Sequence, residues 1–275
     1  MISDTDLLLL NERGFIAGPD ETAEDFSKRI AFLEKFEPIL QDKLEKKDWE
    51  TAHLLTKQVF DFSADWIKGF YSNKKLPFWQ GAATWIDHPW RPLIQLKKAF
   101  RSGNYLKIYG RDEVLAHEAL HAARMAFEEP KFEEVLAFAT SRYPLRKALG
   151  PLLRSSWESY LFIFALFFAM IGTSIHLIVA SCLTSLYFLP VVALIIVGIF
   201  RHLLIQRIFK GCLKNLRKIL KNSSFCLPVV CRLTDREIVS FNKWSSKQIL
   251  SYVNMQRSLR WRQIFLSYFQ PEFRV

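Results

Sequence analysis

The sequence predicts a predominantly helical α+β protein with a two-helix transmembrane hairpin and a basic helical C-terminal tail. Residues 159–200 contain no Asp, Glu, Lys or Arg, and these 42 consecutive positions are long enough for two spans of about 20 residues each. Apolar residues recur at helical spacing on both sides of this run. Between prolines and glycines, residues 73–110 hold strand-sized runs at 82–86, 93–96 and 105–109.

Residues 1–72 are predicted to form an N-terminal helical region. Residues 22–47 have the pattern of an amphipathic helix that Pro38 kinks or splits. A second helix is expected at about 49–72, with Asp48 as its cap. No basic residue precedes the run of four leucines near the start, so we expect no cleaved secretory signal.

The two apolar spans are placed at residues 159–179 and 186–205, within a hairpin domain of 157–205, with a tight turn at 180–185 between them. Lys and Arg flank the hairpin on both sides and the turn is uncharged, so the positive-inside rule predicts an integral membrane protein with both termini in the cytoplasm. The four cysteines form no C-x-x-C pair, which is typical of a reduced intracellular protein.

The positive charge of the chain is concentrated after the hairpin. Residues 201–275 hold 15 Lys and Arg against 3 Asp and Glu, whereas residues 1–158 hold 23 against 24. This distribution disfavours a nucleic-acid binder and indicates a basic cytoplasmic tail, 206–275, beside the anionic inner leaflet. Within it, residues 206–221 are predicted to form an amphipathic helix that lies on the leaflet.

The candidate chemistry lies in residues 111–142, inside a metal-binding region predicted at 73–156. His117 and His121 form an H-E-x-x-H motif, and on a helix their spacing of four places both imidazoles on one face. Glu118 follows the first histidine, so its carboxylate can reach a water on a shared metal ion. Pro130 separates the motif helix, about 111–128, from a partner helix, about 131–142.

A third ligand is sought among the acids that follow the motif, and Glu133 and Glu134 begin the partner helix. The stretch Glu134-Val-Leu-Ala137 is similar to the E-x-x-A of the membrane zinc endopeptidases that include the CAAX prenyl proteases. With the motif, it resembles the zincin metallopeptidases of the glutamate-ligand type. The resemblance covers about thirty residues and departs from the family at Phe138, where the family has an acid.

The resemblance implies a zincin-like domain in which Zn²⁺ is held by His117, His121 and Glu134, with Glu133 as the alternative. It also implies that Glu118 is the general base, and that an edge strand before the motif helix binds substrate. An antiparallel return would place Glu134 about one helical turn, roughly 5 Å, from the histidines. A long glutamate side chain, or an early end to the first helix, would cover that offset.

The sequence therefore predicts a membrane-anchored zinc metallopeptidase that hydrolyses peptide or protein substrates on the cytoplasmic side. Arg124 and Arg142 lie near the motif helices and are candidates for stabilising an oxyanion. The alternative is a non-enzymatic membrane hairpin protein that acts as an interaction scaffold, with a structural metal or none. A closed four-ligand site would favour this alternative, and an open position beside a cleft would favour the enzyme.

Overall fold

The computed structural model describes residues 2–87, 90–150, 156–179 and 184–270. Its secondary structure is predominantly helical, with a small sheet between the third and fourth helices. The helices are α1 (Asp4–Glu12), α2 (Ala23–Lys35), α3 (Lys46–Phe60), α4 (Arg111–Ala123), α5 (Pro130–Ala137), α6 (Pro144–Leu149), α7 (Ser156–Val179), α8 (Leu189–Leu216), α9 (Cys226–Cys231), α10 (Asp235–Lys243), α11 (Ser246–Met255) and α12 (Leu259–Ile264). The strands are β1 (Lys68–Tyr71), β2 (Ala82–Asp87), β3 (Arg91–Leu96), β4 (Asn104–Tyr105) and β5 (Tyr109–Gly110).

The three-stranded sheet has the order β1-β3-β2 and places β2 at one edge. The central strand β3 pairs in parallel with β1 and antiparallel with β2, where Thr84 lies opposite Ile94. Both runs predicted at 82–86 and 93–96 are therefore strands. The run at 105–109 is not one continuous strand, because Leu106 and Lys107 adopt positive φ values of 52° and 57° and fold the chain back between β4 and β5.

The N-terminal helices are shorter than the sequence predicts. The first ends at Lys35, before Pro38. The second ends at Phe60, because Asp61 adopts a left-handed conformation at its C-cap, and residues 68–71 form β1 instead of a last helical turn. Asp48 takes part in the capping box of α3 from its third position, while Glu45 is the cap residue itself.

One hydrophobic core extends from Leu7 to Tyr268, with α4 inside it. Leu115, Ala116 and Leu120 are fully buried, and α4 contacts α3, α5, β2 and β3. Several alanines on α4 allow this close approach because they add little side-chain volume between backbones. The motif helix is therefore a central packing element whose orientation is determined by several neighbours.

The C-terminal segment is part of the same core, so the predicted boundary at 206 does not divide the core. Arg232 is fully buried, and its guanidinium donates to Asn11 at 2.6 Å and to the carbonyl of Phe60 at 3.1 Å. Gln263 is also fully buried and bonds the backbone of Phe15 and Ala17. The last helices thus close over the first ones, and the predicted boundary at 72 does not divide the core either.

The predicted surface helix at 206–221 is also wrong. Residues 206–216 continue α8 without a break, and Phe209, Cys212 and Leu216 on it are buried. These apolar residues recur at helical spacing and face α10, which α8 contacts extensively. Lys210 and Lys214 remain exposed on the opposite side. The basic C-terminal half of α8 thus packs on the core and connects it to the apolar N-terminal half of the same helix.

The described residues contain two helices that are long and apolar enough to cross a membrane. The apolar segments are Trp157–Ile175, of 19 residues, and Leu186–Leu216, of 31 residues, and only 17% of the most apolar window of each is buried. Ala165, Ala169 and Val191 form a small separate core between α7 and α8. Of the turn predicted at 180–185, residues 180–183 lie outside the described residues.

Candidate functional site

The two motif histidines lie on one face of α4 and point at each other. Gly110 is the N-cap residue of this helix, and acids at Asp112 and Glu113 occupy its first turn, near the positive end of the helix dipole. The Nε2 atoms of His117 and His121 are 3.2 Å apart. The spacing of four residues on a continuous helix therefore brings both imidazoles together on one face, as the motif predicts.

Glu134 reaches the same point because α4 ends early. The helix stops at Ala123, and the backbone then turns through residues 124–129, where Glu128 has a φ of 52°. The short turn brings the start of α5 back to the histidines, and the Glu134 carboxylate oxygens lie 3.6 Å from each histidine Nε2. The early end of the helix therefore closes the distance of one helical turn that was expected between Glu134 and the histidines.

These three side chains form the group among the described residues that could hold a metal ion, called here the metal-binding group. One ligand atom from each of His117, His121 and Glu134 lies within 4.8 Å of the other two. Two nitrogens bound to one tetrahedral zinc at 2.0–2.1 Å are about 3.3 Å apart. The observed separations of 3.2 and 3.6 Å fit that geometry without a change of backbone. The donor set of two imidazoles and one carboxylate also suits zinc.

Each histidine ring also contacts a residue of the segment 133–138. Nδ1 of His121 lies 2.7 Å from Oε1 of Glu133. Phe138 packs edge-on against His117 with ring centroids 4.9 Å apart. Glu133, the alternative ligand from the sequence, thus contacts the nitrogen that faces away from the group and orients the ring.

Glu118 lies beside the histidines and is nearly buried. The Thr84 hydroxyl, on the edge strand β2, donates to Glu118 Oε2 at 2.7 Å. Burial raises the pKa of Glu118, and the hydrogen bond from Thr84 lowers it in part. A carboxylate with a raised pKa next to a metal-binding group is suited to accept and return a proton near neutral pH.

Burial and the neighbouring carboxylates shift the two histidines in opposite directions. Burial lowers the pKa of His117 well below its ordinary value, and the charge of His121 adds to this. Burial also acts to lower the pKa of His121, but the hydrogen bond that its ring donates to Glu133 and the charges of Glu118 and Glu134 outweigh it and raise the pKa to about 9. In the metal-free protein, one histidine is therefore neutral at pH 7 and the other is charged.

A cleft of about 380 Å³ opens beside the group. Its apolar walls come from Trp79, Phe100, Tyr109, Val114 and Phe138. Its polar lining includes Glu113, His117, Glu118, Glu134, Thr140, Ser141, Arg146 and Ser159. The group therefore has open space on one side.

Neither predicted oxyanion arginine lines this cleft. Arg124 is buried, donates to the carbonyls of Cys231 and Leu233, and stacks on Phe127, so it is a structural residue between α4 and the C-terminal helices. The side chain of Arg142 is exposed to solvent. Neither guanidinium is therefore among the groups that line the cleft.

The cation that does line the cleft is Arg146, which the sequence placed only in a basic connector. It donates to Glu113 at 3.2 Å and to the carbonyl of Ile108 at 2.6 Å. Its guanidinium stacks against the rings of Tyr109 and Tyr143. Sequence analysis also missed Thr84, since a threonine in an apolar strand has no distinguishing pattern.

Comparison with protein-family models, with curated proteins and with solved structures finds no match to this chain. The function is therefore argued from the geometry of this site.

Proposed function

We propose that this protein is an integral membrane zinc metallopeptidase of zincin-like architecture, with its site on the cytoplasmic side. The observation that carries the proposal is the convergence of His117, His121 and Glu134 within 4.8 Å beside Glu118 and a cleft. Chance placement of an H-E-x-x-H on a packed helix would not by itself bring a third ligand to the same point. The contacts of Glu133 with the His121 ring and of Phe138 with the His117 ring add to this argument.

His117, His121 and Glu134 would hold the zinc ion. When bound, zinc lowers the pKa of a coordinated water towards neutrality and polarises a peptide carbonyl. Glu118 accepts the proton of the attacking water and returns it to the departing amine. Thr84 holds the Glu118 carboxylate in place at 2.7 Å, which reduces the number of orientations that the base samples.

The edge strand β2 offers a binding surface for an extended peptide. Its inner side is paired with β3, while α4 packs near it and places Glu118 beside Thr84. An extended substrate segment can add to the free side of such a strand through backbone hydrogen bonds. A scissile bond held there would lie next to the metal-binding group.

Membrane insertion is supported by the exposed apolar surfaces of α7 and α8. These faces are left uncovered by the rest of the described chain, and water is a poor solvent for them. Basic residues follow the second helix, where they suit an anionic cytoplasmic leaflet; those exposed are Arg207, Lys210, Lys214, Arg217, Lys218 and Lys221. By the positive-inside rule, this distribution of charge supports the proposal that the cleft faces the cytoplasm.

The scaffold alternative predicts a closed site with four protein ligands. Among the described residues the group offers three ligand atoms, and it borders a cleft. Catalytic zinc sites keep a position for water in this way. The arrangement favours the enzyme over the scaffold.

The test is zinc content and peptidase activity of the full chain in detergent, after expression with sufficient zinc. We expect about one zinc per chain in the wild type, loss of zinc in His117→Ala, and weakened binding in Glu134→Ala. Glu118→Gln should retain zinc and lose turnover, since only the base is removed. His53→Ala is the matched control, because His53 bonds Ser63 away from the site. A wild-type protein without zinc, or an active Glu118→Gln variant, contradicts the proposal.

A further inference from the structure

The cleft shares a wall with the first apolar helix. Ser159 lines the cleft and lies inside the apolar segment Trp157–Ile175. On the neighbouring wall, Trp79 packs edge-on against Tyr160 with ring centroids 5.9 Å apart. The metal-binding cleft and the beginning of the candidate span are therefore in direct contact.

An ion pair indicates where the spans leave the hydrocarbon. Glu158 on α7 and Arg201 on α8 form a two-point pair with distances of 2.6 and 2.8 Å. These residues bracket the uncharged run, so their pair lies at headgroup level, where charged groups remain solvated. Ser159 follows Glu158 by one residue, which corresponds to about 1.5 Å along the helix axis. The cleft is thus at the membrane surface.

Exposed aromatic side chains surround the same level. Phe78 and Trp157 are 77% and 73% exposed, and Tyr160 is 51% exposed. Large aromatic rings are enriched where a membrane protein crosses the lipid–water interface. On a surface that faced only water, such rings would be costly, whereas in the interface they are stabilised.

Among the described residues, the edge strand β2 pairs with a strand on one side only. Along β2 the residues become more exposed, and Trp85 and Ile86 near its end are 42% and 50% exposed. An extended chain added to this strand would pass Thr84 and, beside it, Glu118.

Resting on the proposed peptidase function, we propose that the substrate is the unstructured juxtamembrane segment of a second membrane-anchored polypeptide, cut within about ten residues of its own span. Ten extended residues reach about 33 Å, which covers the interface and the cleft. Anchoring in the same bilayer raises the effective concentration of such a segment at the cleft, without any added contact. A segment far from its span gains little from this effect.

The test uses the full chain in nanodiscs with a single-span probe protein. The probe carries two identical copies of one test segment, and a library of probes varies the sequence of that segment. The first copy lies directly after the span and the second about 35 residues further along an unstructured linker. Mass spectrometry locates the cuts. We expect the copy near the span to be cut at least tenfold faster than the distal copy. Equal rates for the two copies, or cutting only of the distal copy, would overturn the inference.

A surface variant tests the role of the interface. Phe78→Asp places a charge at the headgroup level and should reduce the preference for the near copy severalfold, with no change in the cutting of a free peptide. Leu54→Asp, at an exposed position on α3, should leave the preference unchanged. An unchanged preference in Phe78→Asp also counts against the inference.

The two proposals fail in different ways. If zinc-loaded protein cuts free peptides and both copies equally, the peptidase stands and the juxtamembrane substrate is wrong. If neither copy nor any free peptide is cut in a Glu118-dependent way, the peptidase itself is wrong and the inference falls with it.

Discussion

Glu133 should strengthen zinc binding, and the size of this effect should increase with pH. Its carboxylate lies 2.7 Å from Nδ1 of His121, with the ring only 17% exposed, so the contact is a charge-assisted hydrogen bond in a poorly solvated site. When zinc is bound, this bond fixes the ring and raises the basicity of the ligand. Removing such a partner costs about 10- to 100-fold in metal affinity.

The same contact favours a proton on the metal-free ring. Because the pKa of His121 is raised to about 9, zinc must displace a proton at pH 7, at a cost of about 3 kcal/mol that disappears above pH 9. Wild-type affinity should therefore rise about tenfold per pH unit between pH 7 and 9. In Glu133→Ala the pKa of His121 falls towards its ordinary range, so this rise should be smaller.

The assay is a competitive zinc titration against a chelator between pH 6.5 and 9.5. We expect Glu133→Ala to bind zinc about 10- to 100-fold more weakly than wild type at pH 9, with a much smaller difference at pH 7. Glu34→Ala, at a half-exposed acid of α2 outside the metal-binding group, is the control and should match wild type throughout. A ratio of affinities that does not change with pH would refute the argument, and so would equal affinity at pH 9.

Two further predictions concern the base and the core. Thr84→Val removes the hydroxyl that donates to Glu118, so the pKa of Glu118 should rise further. The acidic limb of the pH–rate profile should then move up by about half a unit to one unit, with zinc content unchanged. A limb that does not move would show that Thr84 does not act on the base. Arg232→Ala leaves Asn11 and two buried carbonyls, of Phe60 and Pro228, without their donor, so chemical denaturation should show that the free energy of unfolding falls by about 3 kcal/mol. Arg236→Ala, at an exposed position, should lower it by under about 1 kcal/mol. Equal losses would mean that the C-terminal segment does not hold the N-terminal helices.

The strongest sequence patterns were the local ones. The spacing of His117 and His121 puts both rings on one face wherever the helix forms, because helical geometry alone relates positions i and i+4. The uncharged run at 159–200 is equally direct, and the described residues place two long apolar helices there. In both cases the physical cause acts within a few turns of chain.

Predictions that depended on partners distant in sequence were less accurate. Residues 206–221 have the composition of a surface helix, but Phe209, Cys212 and Leu216 pack on α10 and make the segment part of the core. Arg124 is close to the motif in sequence, yet its guanidinium turns towards the carbonyls of Cys231 and Leu233. Sequence proximity does not state which way a long side chain points.

The sequence by itself determined the motif spacing, the apolar helices and the distribution of charge, since each follows from residues that are neighbours along the chain. Only the tertiary structure decided that Glu134 meets the histidines while Glu133 orients one of them, because this depends on where α4 ends and how the chain turns towards α5. It also decided that Thr84 contacts Glu118 and that Ser159 lines the cleft. These contacts join residues far apart in the chain, and packing of the core brings them together.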